Sequence, residues 1–113
     1  MKKYTLPIRE VDKSFFDVLR QGLKTIETRA ATDKYRQIKS GDILVFVCGK
    51  DKLEKRVKGV SRFQTIDELV KVFDFKKIMP LVSSVEEMKE VYYSFPGYRG
   101  KIEKFGLVAL ELE

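Results

Sequence analysis

The residues best suited to chemistry lie together in Gly22-Leu23-Lys24-Thr25-Ile26-Glu27-Thr28-Arg29. On an extended chain successive side chains alternate, so Thr25, Glu27 and Arg29 point one way while Ile26 and Thr28 point the other. Ile26 is expected to face the core. An acid and a base then share the opposite face, with Lys24 at the corner beside them. Lys24 next to Glu27 has the makings of an acid–base pair for phosphodiester or amide bonds. On residue types alone a plainer reading is favoured: a solvated strand face whose ion pairs contribute about 0–1 kcal/mol.

The rest of the composition narrows the chemistry. The 113 residues include no His and one Cys. Ser-His and Cys-His couples are excluded, as are His-ligated and cysteine-built metal sites, so no metal and no cofactor are expected. Acid–base work must fall to Lys, Glu, Asp or Tyr in environments that shift their pKa values. The net charge of +6, from 23 basic and 17 acidic residues, favours anionic partners such as RNA, though a lysine-rich solvated surface explains it equally well. The chain lacks Asn and is rich in Lys and Glu, the profile left by selection at high temperature, so a thermophilic source is expected. Cys48 sits in an apolar run and is expected to be a buried, reduced thiol. No apolar run has the length of a membrane span, and the first residues lack the apolar stretch of a secretion signal. A cytoplasmic protein with no membrane partner is the expectation.

Residues 1–113 are expected to form one domain, since single domains cluster at roughly 100–150 residues. Residues 3–8 read as a strand. A helix follows, capped by Asp12 or Ser14, with Phe15, Val18 and Leu19 on its buried face and Val11 as a hydrophobic staple. Gly22 stops it, and Thr25 to Arg29 is a strand. Residues 30–40 suggest a loop with one helical turn. Ile43 to Cys48 is nearly continuous in apolar residues, the pattern of a strand buried on both faces. Gly49-Lys50-Asp51-Lys52 is a hairpin turn into a strand over residues 53–63, with Gly59 at a bulge. Thr65-x-x-Glu68 and Ser84-x-x-Glu87 are capping boxes opening two further helices. Phe95 to Gly100 reads as a constrained turn, and residues 106–112 as the last strand. Hairpin-length connections outnumber βαβ crossovers, which favours α+β with a mixed or antiparallel barrel over a doubly wound sheet.

Gly22-x-Lys24-x-x-Glu27-x-Arg29 resembles the G-x-K-x-x-E-x-R signature of the ASCH (activating signal cointegrator homology) domain. Ile38-Lys39-Ser40-Gly41-Asp42 is similar to the turn that leads into that family's buried strand. Residues 84–93, Phe95-Pro96-Gly97-Tyr98 and the closing strand resemble its C-terminal half. The resemblance implies a small PUA-like mixed or antiparallel β-barrel of about five to six strands with three to four flanking helices. It also implies a cleft lined by the motif, with RNA, a nucleotide or a modified nucleoside as ligand. Lys24, Thr25, Glu27, Arg29 and Tyr98 are then the candidate ligand-binding residues. Glu27 would hold the Arg29 guanidinium, Lys24 would offer a mobile charge to a phosphate, and Tyr35, Tyr93 or Tyr98 would stack on a base.

Some bacterial members of the family hydrolyse the amide of N4-acetylcytidine with a Lys, a Thr nucleophile and a Glu. Lys24 matches that Lys. Glu27 stands where the nucleophilic Thr would be, and residues 73–80, where the Glu would fall, are rich in Lys. Recognition is therefore expected over hydrolysis. If the protein is an enzyme acting on a modified nucleoside or on RNA, Lys24 and Glu27 are the catalytic candidates. A third reading is a module for protein partners in transcription or translation, using the basic segment Lys50 to Lys58.

Overall fold

The computed structural model describes residues 1–113. Strands β1 (Lys3–Pro7), β2 (Ile26–Ala30), β3 (Ile43–Cys48), β4 (Asp51–Phe63) and β5 (Leu107–Leu112) form one sheet in the order β1-β3-β4-β5-β2. β1 runs parallel to β3, and every other pairing is antiparallel. β4 is long enough to serve two neighbours. Its first half pairs with β3 and its second half with β5, and the register shifts between Val57 and Gly59, at the expected bulge. A bulge increases local twist and bends the strand, so the sheet turns a corner there.

β1 and β2 are the two ends of this sheet, yet they meet. The Arg29 guanidinium of β2 donates to the Pro7 carbonyl of β1 at 3.3 Å. The sheet is thus curled into an incompletely closed barrel, and with its helices the fold is α+β as expected.

Two apolar clusters hold the layers. Leu6, Phe46, Val57 and Leu110 fill the barrel, closed by Phe16 and Leu19 of α1 (Lys13–Arg20). The second cluster lies outside it, where Ile26, Leu107 and Ala109 of β2 and β5 meet the helices. Those helices are α3 (Ile66–Val72), α4 (Phe75–Ile78), α5 (Val85–Ser94) and α6 (Tyr98–Phe105); α2 (Asp33–Arg36) is the single turn expected after β2. Full burial on both faces therefore falls to β5, not to β3. In β3 every second residue is only half-buried, because the helical layer stacks on β2 and β5.

Local signals account for most boundaries. The Thr65 hydroxyl accepts from the Glu68 N–H and the Ser84 hydroxyl from the Glu87 N–H, both at 3.1 Å. Each glutamate reaches back to the residue before the cap, Gln64 or Ser83. The start of α1 differs from expectation. Asp12 stands at its N-cap, but its carboxylate takes the Arg9 guanidinium instead of a helix N–H. Val11 is 83% exposed and staples nothing, and Phe16, not Phe15, is the core phenylalanine. Helices α4 and α6 were not expected. The predicted turn at Phe95 ends at Gly97, and a polar helix with only Ile102 fully buried follows it. Gly106 stops α6 at φ 75°, where a Cβ would stand 2.4 Å from the Phe63 carbonyl oxygen. No side chain fits that position.

Candidate functional site

β2 has one open edge. Its odd-numbered residues face β5, as the bonds from Leu112 N–H to the Thr25 carbonyl and from Ala31 N–H to the Gly106 carbonyl show. The N–H groups of Thr28 and Ala30 therefore point away from the sheet. Unpaired strand edges are normally covered, and here two side chains do it. Glu27 Oε1 accepts from the Thr28 N–H at 2.9 Å, and the Tyr98 hydroxyl accepts from the Ala30 N–H at 3.2 Å.

The motif residues gather on this edge, in the interior. The side chains of Lys24, Glu27 and Arg29 are 5%, 7% and 15% exposed. Lys24 Nζ lies 3.4 Å from Glu27 Oε1, and Arg29 Nη2 lies 3.3 Å from Glu27 Oε2. A solvated face of weak pairs is thereby excluded. Lys24 is not mobile either, since its ammonium donates to the Ile78 carbonyl at 2.6 Å. Arg29 leans over the Tyr35 ring, 5.6 Å from its centroid, and donates to that hydroxyl at 3.5 Å.

Burial sets the electrostatics of the cluster. Desolvation pushes Lys24 below the usual lysine range, with the Glu27 charge offsetting part of the effect. Burial alone would raise the Glu27 carboxyl, but Lys24, Arg29 and the Thr28 N–H outweigh it and hold the group below the usual carboxylate range. Desolvation disfavours the Arg29 charge, but Glu27 together with Tyr35 and Tyr98 outweighs it and holds the guanidinium above its usual range. The phenols of Tyr92 and Tyr98 are raised, chiefly by burial.

These groups line a cleft of about 220 Å³ between the β2 edge, the Pro7–Arg9 segment and the helices. Its apolar walls include Phe15, Met79, Tyr92 and Phe95. Of the residues singled out in the sequence, Lys24, Glu27, Arg29 and Tyr98 lie on the cleft wall. Thr25 does not. It precedes β2, is half-buried, and its backbone is held between Lys77 and Leu112. Tyr35 reaches the site only through Arg29, and Tyr93 lines a separate groove beside Arg62 and Lys104.

Several cleft residues lie outside the sequence expectations, Thr28, Tyr92 and Phe95 among them. Alternation places Thr28 on the opposite face, but an open edge admits side chains from both faces, and its hydroxyl is hydrogen-bonded to that of Tyr92. Tyr92 and Phe95 arrive from α5 and the turn after it, more than 60 residues away. The aromatic run Tyr92-Tyr93-x-Phe95 was their only signal. Phe95 packs edge-on against Phe15 and Tyr98, with the Arg9 guanidinium 5.7 Å from its ring centroid. No group of three or more metal-ligating side chains forms, and no helix is long and apolar enough to cross a membrane.

The ASCH domain family profile matches residues 10–113. The fold is similar to the crystal structure of hypothetical protein PH0355, at 33% identity and a TM-score of 0.85, covering 100% of this chain and 98% of that one. It is also similar to the solution structure of protein PF0455 from Pyrococcus furiosus, at 30% identity and a TM-score of 0.73, covering 98% and 96%. No curated protein matches the chain.

Proposed function

The chain belongs to the ASCH domain family, with a PUA-like fold, and from that premise we propose that its cleft binds RNA or a nucleotide by receiving one nucleoside unit. The family is often proposed to bind RNA. One observation carries the reading for this chain: the buried Lys24-Glu27-Arg29 cluster faces a small cleft walled by aromatic rings. Sites for drug-sized ligands run to roughly 300–1,000 Å³. A cleft of about 220 Å³ suits one heterocycle or nucleoside, not a stacked strand. Lys24, Arg29 and the Tyr98 hydroxyl supply donors, and Phe95 and Tyr98 supply ring surface. Lys34 and Lys101 stand exposed near the site, against the rings of Tyr35 and Tyr98, and suit the flanking phosphates. We place this work in the cytoplasm, in keeping with the free, buried thiol of Cys48.

Glu27 acts here as a strut. Its oxygens are engaged by the Thr28 N–H, Lys24 and Arg29, which supports recognition over hydrolysis. A second reading, hydrolysis of an N4-acetylcytidine-type amide, draws on one observation: a hydroxyl, that of Thr28, does line the cleft. It is tied to Tyr92, whose raised pKa keeps the phenol protonated and so unable to take a proton from the Thr28 hydroxyl.

The test is a thermal-stabilisation screen over nucleosides, modified nucleosides and short RNAs. RNA affinity is expected to fall with salt, and Arg29→Ala is expected to weaken it with no product formed. Turnover of acetylcytidine that Thr28→Val abolishes would reverse the ranking of the two readings. A folded protein stabilised by none of these compounds defeats both.

A further inference from the structure

The charges lining the cleft do not balance. Arg9 and Asp12 are paired at 2.8 Å at its mouth and cancel. Inside, Lys24 and Arg29 face the single carboxylate of Glu27, which leaves one positive charge over while Lys24 holds its proton. Buried charge is normally matched by a partner. No other acidic residue lines the cleft.

The hydrogen-bond inventory leans the same way. An ammonium has three N–H donors and a guanidinium five. Lys24 places donors on Ile78 and Glu27, and Arg29 on Pro7, Glu27 and Tyr35. Each retains unspent N–H groups. The Tyr98 hydroxyl accepts from Ala30 and keeps its proton to give. Of the acceptors, Glu27 Oε1 already takes two donors and Oε2 takes Arg29. The cleft therefore presents donors and surplus positive charge at its inner end, with aromatic surface around them.

We propose that the inner end of the cleft is an oxyanion site, and that the ligand inserts a singly charged phosphate or carboxylate against Lys24 and Arg29. This rests on the reading of the cleft as a nucleotide site and specifies which end of the ligand goes in: the phosphodiester, or a carboxylate borne by a modified base, with the neutral ring against Phe95 and Tyr98. The bound oxyanion balances the cluster and accepts the unspent donors in one step. It also restores the surroundings that keep Lys24 protonated, so binding takes up a proton wherever free Lys24 has lost one.

The test measures thermal stabilisation and calorimetric affinity at constant ionic strength for four probes: acetate, dimethyl phosphate, cytidine and the dinucleotide cytidylyl-cytidine. Acetate and dimethyl phosphate keep one charge across neutral and alkaline pH, so they separate carboxylate from phosphate as the source. Dimethyl phosphate or acetate should stabilise the protein, cytidine should not, and the dinucleotide should bind more tightly than either part. Lys24→Met should weaken oxyanion binding about tenfold or more, and Glu27→Gln, which leaves two cations unopposed, should strengthen it. A merely structural role for Lys24 and Glu27 would move both variants the same way. Oxyanion affinity of the unaltered protein should fall as pH rises, a readout that needs no variant to fold.

Cytidine binding as well as the dinucleotide, with no response to either small anion, overturns this inference and leaves the nucleotide reading intact. Stabilisation by acetate and dimethyl phosphate with no gain from the dinucleotide keeps the oxyanion site and removes the nucleotide. No response to any probe removes both.

Discussion

At the scale of single residues, Glu27 decides the most. Exposed ion pairs contribute about 0–1 kcal/mol, but breaking a buried one by removing a partner costs about 3–5 kcal/mol. The exposure of Glu27 puts it in the second class. Glu27→Gln is expected to destabilise the protein by about that amount in urea melts, because Lys24 and Arg29 then share the interior unopposed. The pH dependence follows from the same contacts. The folded Glu27 carboxyl titrates below its ordinary value of about 4.3. Its contribution is therefore full above that value and is lost as pH falls through the lower, folded one. The Gln variant should lack this acid-side loss. Lys24 has the same slope in a more alkaline window: its depressed pKa makes stability rise as pH climbs from the folded value towards the ordinary lysine value of about 10.4, because below it the buried charge is penalised. The sequence revealed which residue types alternate here. It gave no sign that both sides of the strand would be buried, because Lys, Glu and Arg are the residues least often found inside.

At the scale of elements, the open edge of β2 makes the site. A strand paired on both sides would have no room for a cleft along it. The edge is safe only because Glu27 and Tyr98 cap its N–H groups. Tyr98→Phe is expected to cost about 1–3 kcal/mol, the usual penalty for a buried donor left unmet, and to speed hydrogen exchange at the Ala30 amide while α6 persists by circular dichroism. That helix, which delivers Tyr98, was invisible in the sequence. Its residues Tyr98-Arg99-Gly100-Lys101 carry no apolar stripe, and the preceding Pro96-Gly97 argues for a turn. By contrast Thr65-x-x-Glu68 and Ser84-x-x-Glu87 located α3 and α5, since capping is a local interaction between close neighbours in sequence.

At the scale of the molecule, β5 belongs to both apolar clusters: Val108, Leu110 and Leu112 face the barrel, while Leu107 and Ala109 face the helices. We propose that the two layers are therefore one cooperative unit. Urea unfolding should give coincident transitions by far-ultraviolet circular dichroism and tyrosine fluorescence, and two separable transitions would show the layers to be independent. The cleft lies where the layers meet, with Lys24, Glu27 and Arg29 from the β2 segment and Tyr92, Phe95 and Tyr98 from the helical side. A ligand there touches both layers and should stabilise the whole molecule.

The β3–β4 hairpin, the bulge near Gly59 and the two capped helices were legible from residue types and spacing, whereas the segment from Gly22 to Arg29 read on those grounds as a solvated strand face and only its resemblance to the family signature pointed to a cleft. The hairpin and the capped helices rest on interactions between near neighbours in the chain, and the bulge is marked locally by Gly59 although it is realised against β5. The tertiary structure decided what the segment is for. It buried a face that sequence reading leaves in water, fixed Lys24 to Ile78 where a mobile side chain was expected, and replaced Thr25 by Thr28 on the cleft wall. It also brought Tyr92 across 64 positions to meet Thr28. Each of those outcomes depends on which strand ends at a sheet edge and which helix packs against it, and such long-range pairing leaves no periodic mark on the residues it joins.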